Sequence, residues 1–144
     1  MTDHNHDVLV KVIRWLGYAE DDLRLAKNTL KTMGDKCPYH LVAYHAQQSA
    51  EKCLKAFLVF HNIDFPYTHD ISRLLELCAQ KATWAQDIQN AEELTLYAIS
   101  ARYPEEIEEV TVGDAHRAIE IAEEVRKIIH KVFSDKDIEI PPEI

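Results

Sequence analysis

Residues 44–56 read Tyr44-His45-Ala46-Gln47-Gln48-Ser49-Ala50-Glu51-Lys52-Cys53-Leu54-Lys55-Ala56, a run without Gly or Pro. Small and apolar residues recur in it at spacings of three and four, the period of one helix face, and the pattern extends to a helix from about Tyr39 to His61. At about 100° per residue, Val42, Ala46, Ala50, Cys53, Phe57 and Phe60 share one side, which predicts a buried seam. Tyr44, Gln48, Glu51, Lys52 and Lys55 share the opposite arc. That arc admits two readings. One is a solvated helix surface, to which side-chain pairs at spacings of three and four add little. The other is an anion contact, because two ammonium groups on adjacent turns beside an amide donor make a local positive patch. Spacing alone does not choose.

Working outward, Leu9, Val12, Ile13, Leu16, Ala19, Leu23, Ala26 and Leu30 carry the same period from Asp7 to Thr32 and predict a long first helix. Gly34 and Pro38 then break the pattern, as a connection between helices does. Residues 62–67, which include Pro66, end the second helix. Thr68 or Asp70 can cap a short third helix of about ten residues carrying Ile71, Leu74, Leu75 and Cys78. A fourth helix is expected from about Trp84 to Ala101, with Ile88, Ala91, Leu94 and Ala98 on its apolar face and Pro104 beyond its end. Thr111 with Asp114 three residues on resembles a capping box opening a last helix, whose stripe runs from Val112 through Ala115, Ile119, Ala122, Val125, Ile129 and Val132 to Phe133. No stretch alternates apolar and polar residues beside a hairpin dipeptide. The expected fold is therefore all-α: four long helices plus one short one, packed mainly antiparallel. One domain spans residues 1–144, with its core over about 8–133 and a tail from Ser134 to Ile144.

The 144 residues are 47% hydrophobic and 28% charged, with only 3 Gly, a composition that excludes collagen-like, disordered and disulfide-scaffold classes. Sixteen Lys and Arg stand against 25 Asp and Glu, a formal charge of -9 that repels nucleic-acid backbones and anionic membranes. The longest apolar run, Ala56 to Phe60, falls far short of the roughly 20 residues that span a bilayer. No basic, apolar leader opens the chain, so a cytoplasmic location is expected. Three Cys without Cys-x-x-Cys spacing suit reduced thiols there.

The order of pieces around helix 2 resembles the HEPN family, the higher eukaryotes and prokaryotes nucleotide-binding domain. The residues 44–56 quoted above look like its second-helix signature. Trp15 with Ala19, Asp22, Leu23 and Ala26 resembles its first helix. Thr68-His69-Asp70-Ile71 with Leu74-Leu75 resembles its short helix, and Ala101-Arg102-Tyr103-Pro104 one of its turns. Ala118, Ala122 and Glu123 match its last helix less specifically. The resemblance covers about Val8 to Phe133. It implies a helical bundle, homodimerisation, nucleotide binding in some members, and pairing with small nucleotidyltransferases in toxin–antitoxin or defence systems.

Many members of that family are metal-independent ribonucleases using an Arg followed by a His after four to six residues. Arg14, Arg24, Arg73, Arg102, Arg117 and Arg126 all lack a His at that separation. Arg102 sits where the resemblance would put the catalytic Arg, but Pro104 and the acidic run through Glu109 replace the His side. An Arg without an imidazole supplies charge stabilisation and no proton transfer. Catalysis is therefore not expected, and no catalytic residue is assigned. The opposing reading is a divergent toxin ribonuclease whose composite dimer site draws on Arg102, or on Arg126 with His130, although exposure or C-terminal capping is the plainer role for the latter pair.

No Glu-x-x-His, His-Glu-x-x-His or Gly-rich phosphate loop occurs, and no metal site is assigned; His4 and His6 fall in a terminal stretch expected to be loose. Cys53 and Cys78 lie on apolar faces, where thiols pack inertly. Trp15 and Trp84 are core or dimer-interface candidates. The expected function is a non-catalytic module that homodimerises and binds a nucleotide, ATP or GTP, or a minimal nucleotidyltransferase partner; no cofactor is required. Nucleic acid belongs only to the ribonuclease reading. Candidate ligand contacts are Lys52 and Lys55 for phosphate charge, Gln48 and Glu51 beside them, Arg102 for a second contact, Tyr44 and Tyr103 for stacking or packing, and His69 for capping or ligand binding.

Overall fold

A computed structural model describes residues 2–100 and 108–138, with side chains over 5–99 and 108–138. Five helices, α1 (Thr2–Thr32), α2 (Tyr39–Phe60), α3 (Ile71–Cys78), α4 (Thr95–Ser100) and α5 (Val112–Ser134), follow one another with no strand among the described residues. The all-α expectation holds. α1 begins at Thr2 rather than Asp7, so His6 lies in a helix and not in a loose terminus.

The helix ends follow local chemistry. α1 stops before Gly34, whose φ of 57° is the left-handed region that glycine enters without a Cβ penalty. α2 ends with Asn62 at a φ of 56°, Ile63 N–H donating to Leu58 O at 2.9 Å and Asn62 N–H to Val59 O at 3.1 Å, the paired bonds of a Schellman turn. Asp70 caps α3 by accepting from Ser72 N–H at 3.0 Å. Thr111 and Asp114 form the expected capping box at α5.

The fourth segment departs from the expected long helix. Trp84–Leu94 is a 3-10 stretch interrupted at Ile88 (φ -123°, ψ 32°), and only then does the six-residue α4 begin. The buried residues explain it: Ala85, Ile88, Ala91 and Leu94 are spaced by three throughout, and the 3-10 period of three puts all of them inward where a 3.6-residue turn would drift.

α2 is the central element, packed along α1 and α5 and also against α3 and α4. Glu20 and Lys27 of α1 pair with Arg126 and Glu123 of α5, so those helices run antiparallel. Phe60 meets Phe133 with ring centroids 5.4 Å apart at the shared C-terminal end of α2 and α5, which run parallel. Val12, Leu16, Leu23, Leu54, Phe57, Leu58, Ile129 and Phe133 fill the space between them and are buried. Trp84 packs edge-on against Phe57 at 4.9 Å, a core role.

Candidate functional site

The polar arc of α2 is not solvated. Gln48, Glu51 and Lys55 are 8%, 3% and 6% exposed, and Tyr44 and Lys52 are half-buried. The solvated-surface reading is corrected for this reason: a helix at the centre of a bundle has a neighbour on more than one side, and α1 and the segment before α3 cover the arc.

Glu51 is the hub. Its Oε1 accepts from Gln47 Nε2 at 2.9 Å and Gln48 Nε2 at 3.4 Å, and His69 Nδ1 lies 2.8 Å from it. Its Oε2 accepts from Lys55 Nζ at 3.0 Å. Gln48 Nε2 also donates to Gln47 Oε1 at 2.7 Å, and Gln47 Nε2 to the backbone oxygen of His69 at 3.3 Å. Burial pushes the Glu51 carboxyl up, but the bonds from Gln47, His69 and Lys55, with the Lys55 charge, outweigh it and hold the group below the usual glutamate range. Lys55 is further enclosed by rings: its Nζ lies 5.6 Å from the Trp15 centroid and 5.5 Å from that of Phe65.

A second carboxylate serves the next turn. Asp22 of α1 accepts from Lys52 Nζ at 2.6 Å through Oδ2, and His45 Nδ1 stands 2.9 Å from its Oδ1. Lys52 also lies 5.9 Å from the Tyr18 ring, and Tyr44 packs edge-on to His45 at 5.3 Å. Both lysines expected to hold a phosphate are thus neutralised inside the fold, and His69 makes a structural hydrogen bond while Asp70 supplies the cap.

A third buried pair joins α1 to α5. Arg126 Nε donates to Glu20 Oε1 at 2.7 Å and to Oε2 at 2.8 Å, with both residues buried. The expectation of an exposed or capping Arg126 is corrected: it is sequestered beside Cys53. That thiol is pushed up to about 12, by burial first and by the Glu20 charge second, and burial alone raises Cys78 to about 12. Both thiols are buried, as their apolar faces imply.

The structure therefore brings Gln48, Glu51, Lys55 and His69 into one network and Lys52 into the adjoining one. Arg102 and Tyr103 lie outside the described residues. Sequence reasoning missed Asp22, His45 and Gln47 as members and Glu20 as the Arg126 partner. The available signal was a carboxylate at positions 20 and 22 flanking the apolar stripe of α1, where a charge borders a buried face. Among the described residues no group of three or more His, Cys, Asp or Glu is placed to hold a metal ion, and no helix is long and apolar enough to cross a membrane.

This is a helical bundle stapled by buried ion pairs along its central helix, and its sequence matches the HEPN domain family over residues 12–132. The chain belongs to that family. It is similar to "Putative toxin MJ1304" of Methanocaldococcus jannaschii, 31% identical over 134 residues that cover 82% of this chain and 85% of the relative. A solved structure described as ST0689, an archaeal HEPN homologue, superposes with a TM-score of 0.66 at 28% identity, covering 83% of this chain and 95% of that one.

Proposed function

We propose that this chain is the non-catalytic HEPN half of a toxin–antitoxin or defence pair, a homodimer that engages a minimal nucleotidyltransferase partner. The observation that carries the reading is the internal pairing of the helix-2 charges: with Glu51, Lys55, Lys52 and Asp22 committed to one another, this face maintains the bundle and offers no free cation to a phosphate. That weighs toward a protein partner and against a nucleotide on helix 2. The likeness to a protein named as a toxin supports the toxin–antitoxin setting. The absence of any Arg with a His after four to six residues, and the burial of Arg126 against Glu20, support the non-catalytic part.

Exposed apolar side chains leave room for association. Val10, Ile13, Tyr18 and Leu25 of α1, and Leu41 of α2, are each more than a third exposed. Light scattering of the purified chain, alone and mixed with a minimal nucleotidyltransferase encoded beside it, tests the reading. The expected result is a dimer that forms a stoichiometric complex. A monomer that ignores the nucleotidyltransferase overturns it.

A further inference from the structure

The last two turns of α1, the turn at Gly34–Lys36 and the first turns of α2 and α5 meet at one end of the bundle, around a solvent-open depression of about 610 Å³. Its size falls in the range of small-molecule sites, roughly 300–1,000 Å³. Leu30 and Ile119 give it an apolar floor and Tyr39 a half-buried aromatic wall. Lys27, Lys31 and His116 supply its nitrogen-bearing side chains, against one lining carboxylate, Asp35.

The state of these groups differs from that of the helix-2 lysines. Lys27 is held by Glu123 at 3.2 Å, whereas Lys31 and His116 make no hydrogen bond or ion pair among the described residues. On a chain of charge -9, an unpaired lysine beside an unpaired histidine over an apolar floor is a local exception to the surrounding field. Lysine presents a compact charge with three donors, and a phosphate monoester carries about -1.5 to -2 near neutral pH, enough to engage both groups.

We propose that this depression binds a small aromatic phosphate monoester, with its ring against Leu30, Tyr39 and Ile119 and its phosphate between Lys31 and His116. The site is remote from the helix-2 network and stands whether or not the chain has a protein partner. The ring and the phosphate are both required: Leu30, Tyr39 and Ile119 are the less exposed part of the lining, and the unpaired Lys31 and His116 are its exposed part.

Calorimetric titration of phenyl phosphate into the full chain tests this, beside inorganic phosphate and phenol as the two halves of the ligand and benzoate as a singly charged analogue. Saturable binding of phenyl phosphate is expected, with each half and benzoate binding more weakly. Lys31→Ala and His116→Ala should each weaken it about tenfold, the loss of one charge-assisted hydrogen bond, while Lys131→Ala leaves it unchanged. Lys31 and His116 are exposed, so both variants should keep the parent's urea midpoint. Absence of saturable heat at millimolar phenyl phosphate overturns the proposal, as does binding indifferent to Lys31→Ala or matched by inorganic phosphate.

Discussion

Lys52 Nζ stands 2.6 Å from Asp22 Oδ2, and the other oxygen of the same carboxylate lies 2.9 Å from His45 Nδ1. One α1 side chain therefore ties two turns of α2, and any phosphate arriving at Lys52 competes with a carboxylate already in place. The same holds more strongly one turn on, where Lys55 is buried between Glu51, Trp15 and Phe65.

Titration of ATP or GTP should accordingly give no heat that depends on Lys52 or Lys55. Calorimetry on the parent, Lys52→Ala and Lys55→Ala checks this. Micromolar binding lost in both variants would restore helix 2 as a nucleotide site.

Glu51 predicts how stability depends on pH. Its folded carboxyl titrates below the unfolded value of about 4.3, so the stability it contributes is fully present above that value and is lost as pH falls through the depressed folded one. Glu51→Gln removes this contribution and strands Lys55, at a cost of about 3 kcal/mol at neutral pH. Urea unfolding at pH 7 and at pH 3 should show the gap between parent and variant narrowing in acid.

Glu20 and Arg126 should behave as one unit. Arg126→Met leaves a buried carboxylate alone and should destabilise by about 3–5 kcal/mol, while Glu20→Met with Arg126→Met together should cost far less than the sum of the single changes. Urea denaturation of the four proteins in this cycle measures the coupling. Additive losses would mean that the pair contributes nothing specific.

The stripes of α1, α2 and α5 were legible because long amphipathic helices write their burial in a 3.6-residue period, and the caps at Asp70 and Thr111 because capping is local chemistry. The break at Ile88 was written too, in the spacing of three from Ala85 to Leu94, but the same residues Ile88, Ala91, Leu94 and Ala98 also fit a helix face when taken together. The burial of Gln48, Glu51 and Lys55 was not legible. A helical projection places residues relative to one apolar seam, and their partners Asp22 and His69 come from elsewhere in the chain, so only the tertiary arrangement shows that the polar arc faces inward. The HEPN resemblance of residues 44–56 holds, and the carboxylates that pair with its lysines stand at positions no helical projection singles out.

We propose that this HEPN chain works by association and not by cutting RNA. Incubating the purified protein with single-stranded and structured RNA, in parallel with an Arg102→Ala variant of unchanged fold, tests it most directly. Both proteins should leave the RNA intact. Cleavage by the parent that disappears in Arg102→Ala would contradict the proposal.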